Sequence, residues 1–288
     1  MNSHTVLRFF WTVSLIALGV MLVYLAVDRD FDLEQRLPAG LPIVGIFLLA
    51  FFAEYVDSSL GMGYGTTLTP LLILVGYSPL QIVPAVLLSE FISGLSSGLM
   101  HHRIGNVDLG RGTQARRSTA VLAACSVVGT IAAVLLAVSL PGFWVKGYIS
   151  VMILVMGLYI LLSRGTAHFS WGRLVGVGCV AAFNKGISGG GYGPIVTGGQ
   201  IIAGVDGKQA VGITSMAEGL VCAVGLVIYA GCGQAIHWPL AIPLTIGALL
   251  SVPAAAFTVK TLPSHMMKRA IGFANLFLGT LTLIKLFA

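Results

Sequence analysis

Charge is what this sequence lacks. Of its 288 residues only 9% are Asp, Glu, Lys or Arg, where a soluble domain carries about 25%. With 57% hydrophobic residues and a mean hydropathy of +0.95, that scarcity excludes a soluble globular domain and indicates a polytopic membrane protein. The net charge of +6 does not form a nucleic-acid surface, because Lys and Arg fall between apolar runs, where they orient membrane spans. Cysteine is equally sparse. Cys125, Cys179, Cys222 and Cys232 show no C-x-x-C spacing, which excludes a disulfide or metal framework and leaves inert, membrane-buried thiols. The tandem His101-His102 stands beside Arg103 without flanking ligands, so it reads as interfacial rather than as a metal site. Neither a cofactor nor a metal is expected.

Apolar sequence is abundant. Beyond a first run at 9–27, segments fall at 41–60, 66–77, 80–100, 118–138, 143–162, 172–188, 194–205, 209–230, 239–259 and 270–287. Several reach the roughly 20 residues needed to cross a bilayer. The run Phe9 to Val27 is long for a signal peptide and lacks a small-x-small cleavage site before Asp28, so it reads as a retained helix. Trp11, Trp144, Trp171 and Trp238 lie at segment ends, as an interfacial aromatic belt requires.

Two stretches, Gly61-Met62-Gly63-Tyr64-Gly65 and Gly189-Gly190-Gly191-Tyr192-Gly193, interrupt apolar segments at equivalent places. Laid over 185–218 without gaps, residues 57–90 match at ten of 34 positions: Gly61, Gly63, Tyr64, Gly65, Thr69, Ile73, Gly76, Gln81, Val83 and Glu90. The offset is 128 (189 minus 61) and later falls to 122, pairing Leu140-Pro141 with Leu262-Pro263, Lys146 with Lys268, and Gly157 with Gly279. The chain therefore reads as an N-terminal helix and loop at 1–37, a first repeat at 38–165 and a second at 166–288, each repeat about 120 residues long.

Charge bias indicates that the repeat is inverted. The loop 101–117 carries Arg103, Arg111, Arg116 and Arg117, whereas its partner 231–238 has no Lys or Arg. Loop 139–147 has one Lys, and its partner 260–269 has Lys260, Lys268 and Arg269. Basic loops face the cytoplasm. With 163–173 also inside, the regions 41–77 and 172–205 must each begin and end on one side. They form two opposed, glycine-tipped re-entrant hairpins among seven full spans, with the N-terminus cytoplasmic and the C-terminus external. Asp28, Asp30, Asp32 and Glu34 suit an external loop.

Irregular backbone in lipid survives only where protein buries it or a polar cavity lines it, and matched glycine-broken segments mark transporter binding sites. The helices after the glycines begin near Thr66 and Pro194, and their N-termini would meet at mid-membrane, presenting amides to an anion. Candidate substrate residues are Gly63, Tyr64, Gly65, Thr66, Thr67, Asn184, Lys185, Ser188, Gly190, Gly191, Tyr192 and Gly193, with Thr69 and Thr197 as further donors. Ionisable groups within membrane segments are functional candidates: Glu54, Asp57, Lys185, and the repeat partners Glu90 and Glu218. Coupling or gating is assigned to Asp57, Glu90, Glu218, Gln81 and Gln209. Asp57 aligns with Lys185, so an ion pair between them and a positive charge donated to an anion site are both open. For Glu90 and Glu218, packing through hydrogen bonds and proton coupling are both open.

These residues resemble the TauE/SafE sulfite exporter family of bacterial membrane transporters. The resemblance rests on the two related halves, on Gly186-Ile187-Ser188-Gly189-Gly190-Gly191-Tyr192-Gly193-Pro194, and on Gly105-Asn106-Val107-Asp108, and it covers about residues 40–288. In the first half, Asp57-Ser58-Ser59-Leu60-Gly61-Met62-Gly63 replaces the family's denser glycine run. The resemblance implies a bacterial inner-membrane protein that moves small sulfur-containing or organic anions such as sulfite, sulfonates or sulfoacetate-like compounds. Its partners would be that anion, the lipid bilayer and protons as a coupling ion.

Two rival classes remain. Gly-Tyr-Gly occurs in potassium-channel filters, where parallel carbonyl ladders replace ion hydration, but here the copies enter from opposite sides. Gly186-Ile187-Ser188-Gly189 fits the Gly-x-Ser-Gly of intramembrane serine proteases, yet the base His237 would lie in an interface loop, out of reach of the nucleophile. The expected activity is transport, not enzymatic.

Overall fold

The computed structural model describes residues 43–162, 170–202, 205–259 and 264–287. The proposed N-terminal helix and its acidic loop lie outside these residues. The described residues form ten α-helices: α1 (Ile43–Leu60), α2 (Tyr64–Val75), α3 (Pro79–Ile104), α4 (Gln114–Ser139), α5 (Gly142–Leu162), α6 (Trp171–Ser188), α7 (Tyr192–Ile202), α8 (Gly207–Gly231), α9 (Trp238–Thr258) and α10 (Ser264–Phe287). Six of them, α1, α3, α4, α5, α8 and α9, are long and apolar enough to cross a membrane. Large apolar side chains such as Val128, Leu135, Val155 and Val227 face outward, as lipid contact requires and water contact would oppose.

Local chemistry fixes the helix ends. Helix α3 starts with a capping box, in which Ser78 is the N-cap, Gln81 its reciprocal partner and Pro79 sits in the first turn. Asp206 caps α8, accepting from the amides of Lys208 and Gln209, and Thr113 caps α4. The apolar first arms stop at glycine: Gly61 after α1 and Gly189 after α6 both take positive φ, 68° and 72°, where a side chain would be strained.

The helices pack in matched pairs. Helix α1 lies along α9 while α6 lies along α4; α3 packs on α9 while α8 packs on α4; α3 crosses α8, and α5 crosses α10. Gly212 on α8 lies against Val107 and His101, so the start of α8 shares an end of the bundle with the end of α3. Near the starts of α3 and α9 the rings of Tyr77 and His237 meet edge to face at 5.8 Å.

Candidate functional site

Helices α3 and α8 cross backbone to backbone. A Cβ on Gly94 would come 3.0 Å from the Ser215 carbonyl oxygen, and one on Gly219 would come 2.8 Å from the Leu95 nitrogen. Only small residues allow that approach. The crossing brings Glu90 and Glu218 together, and Lys185 reaches between them from the last turn of α6. Its ammonium pairs with Glu90 and, at 2.8 Å, with Glu218 Oε1. All three side chains are buried.

Asp57 completes the cluster. Oxygens of Asp57, Glu90 and Glu218 lie within 4.8 Å of one another, and Asp57 Oδ1 also accepts the Tyr64 amide at 3.2 Å. The chain's own carboxylate thus caps the start of α2. The direct Asp57–Lys185 pair is not the one formed, because Lys185 pairs with the two glutamates instead. Three carboxyl groups therefore surround one ammonium. A buried charge left unmatched costs several kcal/mol, and one ammonium can match only one of the three carboxylates.

The glycine tips meet. Thr69 Oγ1 donates to the Ser188 carbonyl at 2.8 Å, and its aligned partner Thr197 donates to the Gly61 carbonyl at 2.8 Å. Gly190 lies so near Gly65 that a Cβ would stand 2.7 Å from the Thr66 nitrogen, and one on Gly193 would stand 2.8 Å from Met62 Cα. Around this contact Thr66 and Thr67 bond the Gly63 carbonyl. Ser188 Oγ donates to the Asn184 carbonyl at 2.6 Å and accepts the Gly190 amide at 3.1 Å. Asn184 Oδ1 accepts from Tyr148, and Gly191 backs onto Met152 and Asn184. The two tyrosines differ. Tyr64 shares a 2.6 Å hydrogen bond with Ser89, whereas the buried Tyr192 hydroxyl has no partner among the described residues; Ala217 aligns with Ser89.

Gln81 and Gln209 are not brought to this site. Gln81 is the capping-box residue of α3, and the exposed Gln209 stands at the same third position of α8. Their shared identity reflects two helix starts.

Buried polar groups of α3 form a set that the sequence reading did not assemble. Glu54 is 2% exposed and takes hydrogen bonds from Ser58 at 2.6 Å and Ser93 at 3.0 Å. His101, expected at the interface, is fully buried. Its Nε2 lies 2.9 Å from the Ser58 carbonyl, which can only accept, so Nε2 carries the proton; Nδ1 accepts from Asn106 at 2.9 Å. The available signal was a period of four, Ser89, Ser93, Ser97 and His101, which places all four on one helical face.

The Gly-Tyr-Gly carbonyls open α2 and α7, so they belong to helical turns and not to an extended filter ladder. Ser188 is engaged with Asn184 and Gly190, and His237 packs against Tyr77.

The family described as Sulfite exporter TauE/SafE matches residues 46–282. The probable membrane transporter protein YtnM of Bacillus subtilis (strain 168) is 26% identical, over 82% of this chain and 81% of that protein. No solved structure is significantly similar. The family match spans the glycine tips and every member of the buried charge cluster, and the chain belongs to the TauE/SafE family of membrane transporters.

Proposed function

We propose that this protein is a secondary transporter, an exporter of small sulfur-containing or organic anions such as sulfite or sulfonates, working by alternating access with proton coupling. The family description names a sulfite exporter, which supports the substrate class. The observation that carries the coupling is one buried ammonium, that of Lys185, held by two carboxylates that the repeat makes equivalent. While Glu90 and Glu218 are ionised, they consume the charge of Lys185 and the site repels anions. Protonating them frees the ammonium, and an anion takes their place. Once the anion has left on the far side, deprotonation returns Lys185 to the glutamates.

Two inverted repeats, 38–165 and 166–288, supply the moving parts in this reading, with a separate helix at 1–37. The matched packing of α1 on α9 and α6 on α4, and the reciprocal bonds of Thr69 and Thr197, support a pseudo-two-fold axis through the glycine tips. Alternating access rocks the repeats about that axis. The closely packed tips then separate to admit substrate among Gly63–Thr67 and the segment from Asn184 to Gly193. The protein resides in the bacterial inner membrane with its N-terminus cytoplasmic and its C-terminus external.

Binding of sulfite, thiosulfate, sulfonates and carboxylates to the purified protein tests the substrate class. Saturable sulfite or sulfonate binding that Lys185→Ala weakens is expected, whereas tighter binding of carboxylates, or unitary currents from reconstituted protein, would replace this reading.

A further inference from the structure

Repeat 1 carries a buried polar file that repeat 2 does not. Ser89, Ser93, Ser97 and His101 recur at every fourth position of α3, and all are 0% exposed. Consecutive members stand about 6 Å apart along the axis, so the file runs roughly 18 Å. One end is at the charge cluster, since Ser89 meets Tyr64, whose amide binds Asp57. The other is at His101, next to exposed His102 and bonded to Asn106. Glu54 leans on its middle, one helical turn before Asp57 on α1 and bonded to Ser93.

With the offset of 128, the equivalents of Glu54, Ser58, Ser89, Ser93, Ser97 and His101 are Ala182, Gly186, Ala217, Val221, Gly225 and Tyr229. The correspondence is structural as well: Tyr229 donates to the Gly186 carbonyl at 2.9 Å, as His101 does to that of Ser58 at 2.9 Å. The same packing positions are thus filled without a carboxyl or a serine. Burying these groups is costly and unnecessary for the fold.

Two of the buried polar atoms without a partner among the described residues, Ser97 Oγ and Glu90 Oε1, lie on α3. Ser97 does not even bond back to its own helix, as neighbouring Ser96 does to the Ile92 carbonyl at 2.7 Å. Buried polar atoms of this kind are normally satisfied by protein or water.

We propose that Glu54 and the α3 file conduct protons between the charge cluster and the His101 end of the bundle, giving the cluster its proton route to that face. This rests on the proton coupling proposed above. A proton leaving Glu54 is taken up by a carboxylate oxygen of the cluster; Glu54 becomes the anion, solvated by the Ser58 and Ser93 hydroxyls, and is recharged from the His101 end. The titratable groups whose charges interact with Glu54 are Asp57 on α1 itself, Tyr64, Lys185 and Glu218, and α9 carries no titratable residue.

Sulfite flux in proteoliposomes tests it in two modes: exchange of sulfite for sulfite at equal pH, and net flux driven by a pH gradient. Glu54→Gln and Ser97→Ala are expected to keep exchange within about twofold while gradient-driven flux falls by roughly 100-fold for Glu54→Gln and less for Ser97→Ala. Wild-type-like driven flux in Glu54→Gln would overturn the proposal, as would equal loss of both modes in both variants. A wild-type protein that exchanges sulfite yet ignores the gradient would instead overturn the coupling reading itself, and this inference with it.

Discussion

Glu90 and Glu218 stand 128 positions apart (218 minus 90) and hold the same ammonium, that of Lys185. The sequence alignment of 57–90 with 185–218 pairs two acids but supplies only one lysine, because Asp57 occupies the position aligned with Lys185. The centre is therefore symmetric in its acids and asymmetric in its base. In the proposed cycle, this one cation is released only when both acids are neutralised, which would link proton binding to anion binding.

Lys185→Ala should abolish anion binding and destabilise the protein. Removing one partner of a buried ion pair costs about 3–5 kcal/mol, because the remaining charge is left uncompensated. A thermal unfolding series checks the second part. Adding Glu90→Gln and Glu218→Gln to Lys185→Ala should recover much of the stability and none of the binding.

Glu218→Gln mimics a permanently protonated acid. Wild-type anion binding should strengthen as pH falls, since protonation frees Lys185, and the substitution should flatten that dependence. Binding isotherms across pH measure it. An unchanged pH profile would make Glu218 a packing residue.

Gly65→Ala should prevent folding or lock the tips, since its Cβ would collide with the backbone of Gly189 and Gly190. Gly207→Ala, with nothing within 4 Å of the new Cβ, should change stability by less than about 0.5 kcal/mol. Expression level and unfolding temperature of the two variants give the comparison.

The two tyrosines should separate stability from binding. Tyr64→Phe loses the bond to Ser89 and should cost about 1 kcal/mol of stability. Tyr192→Phe loses no partner among the described residues, so its stability should hold while sulfonate affinity falls about tenfold through loss of a donor to the anion. Calorimetric binding to both variants reads the difference.

Much of the fold was legible because apolar length and glycine breaks are one-dimensional signals. The expected segments 80–100 and 209–230 correspond to α3 and α8. The expected segments 118–138 and 270–287 start a few residues late, because Gln114–Arg117 opens α4 and Ser264–Arg269 opens α10 with charged turns that hydropathy does not count. The meeting of the tips followed from the repeat. The partner of Lys185 did not: sequence alignment sets Asp57 opposite Lys185, but the α3–α8 crossing at Gly94 and Gly219 decides which carboxylates reach the ammonium. Such crossings depend on packing between distant segments. His101 was misjudged for a related reason, since a residue at a span end is buried when the next loop folds over it, as Asn106 does.

The most direct test of the central claim is a proton count on anion binding. A sulfonate keeps its charge near neutral pH, so any proton taken up belongs to the protein. In weakly buffered solution, sulfonate binding to the wild-type protein should draw protons from the medium, and the Glu90→Gln, Glu218→Gln double variant should bind without doing so. Saturable binding to the wild type with no proton uptake would contradict the account.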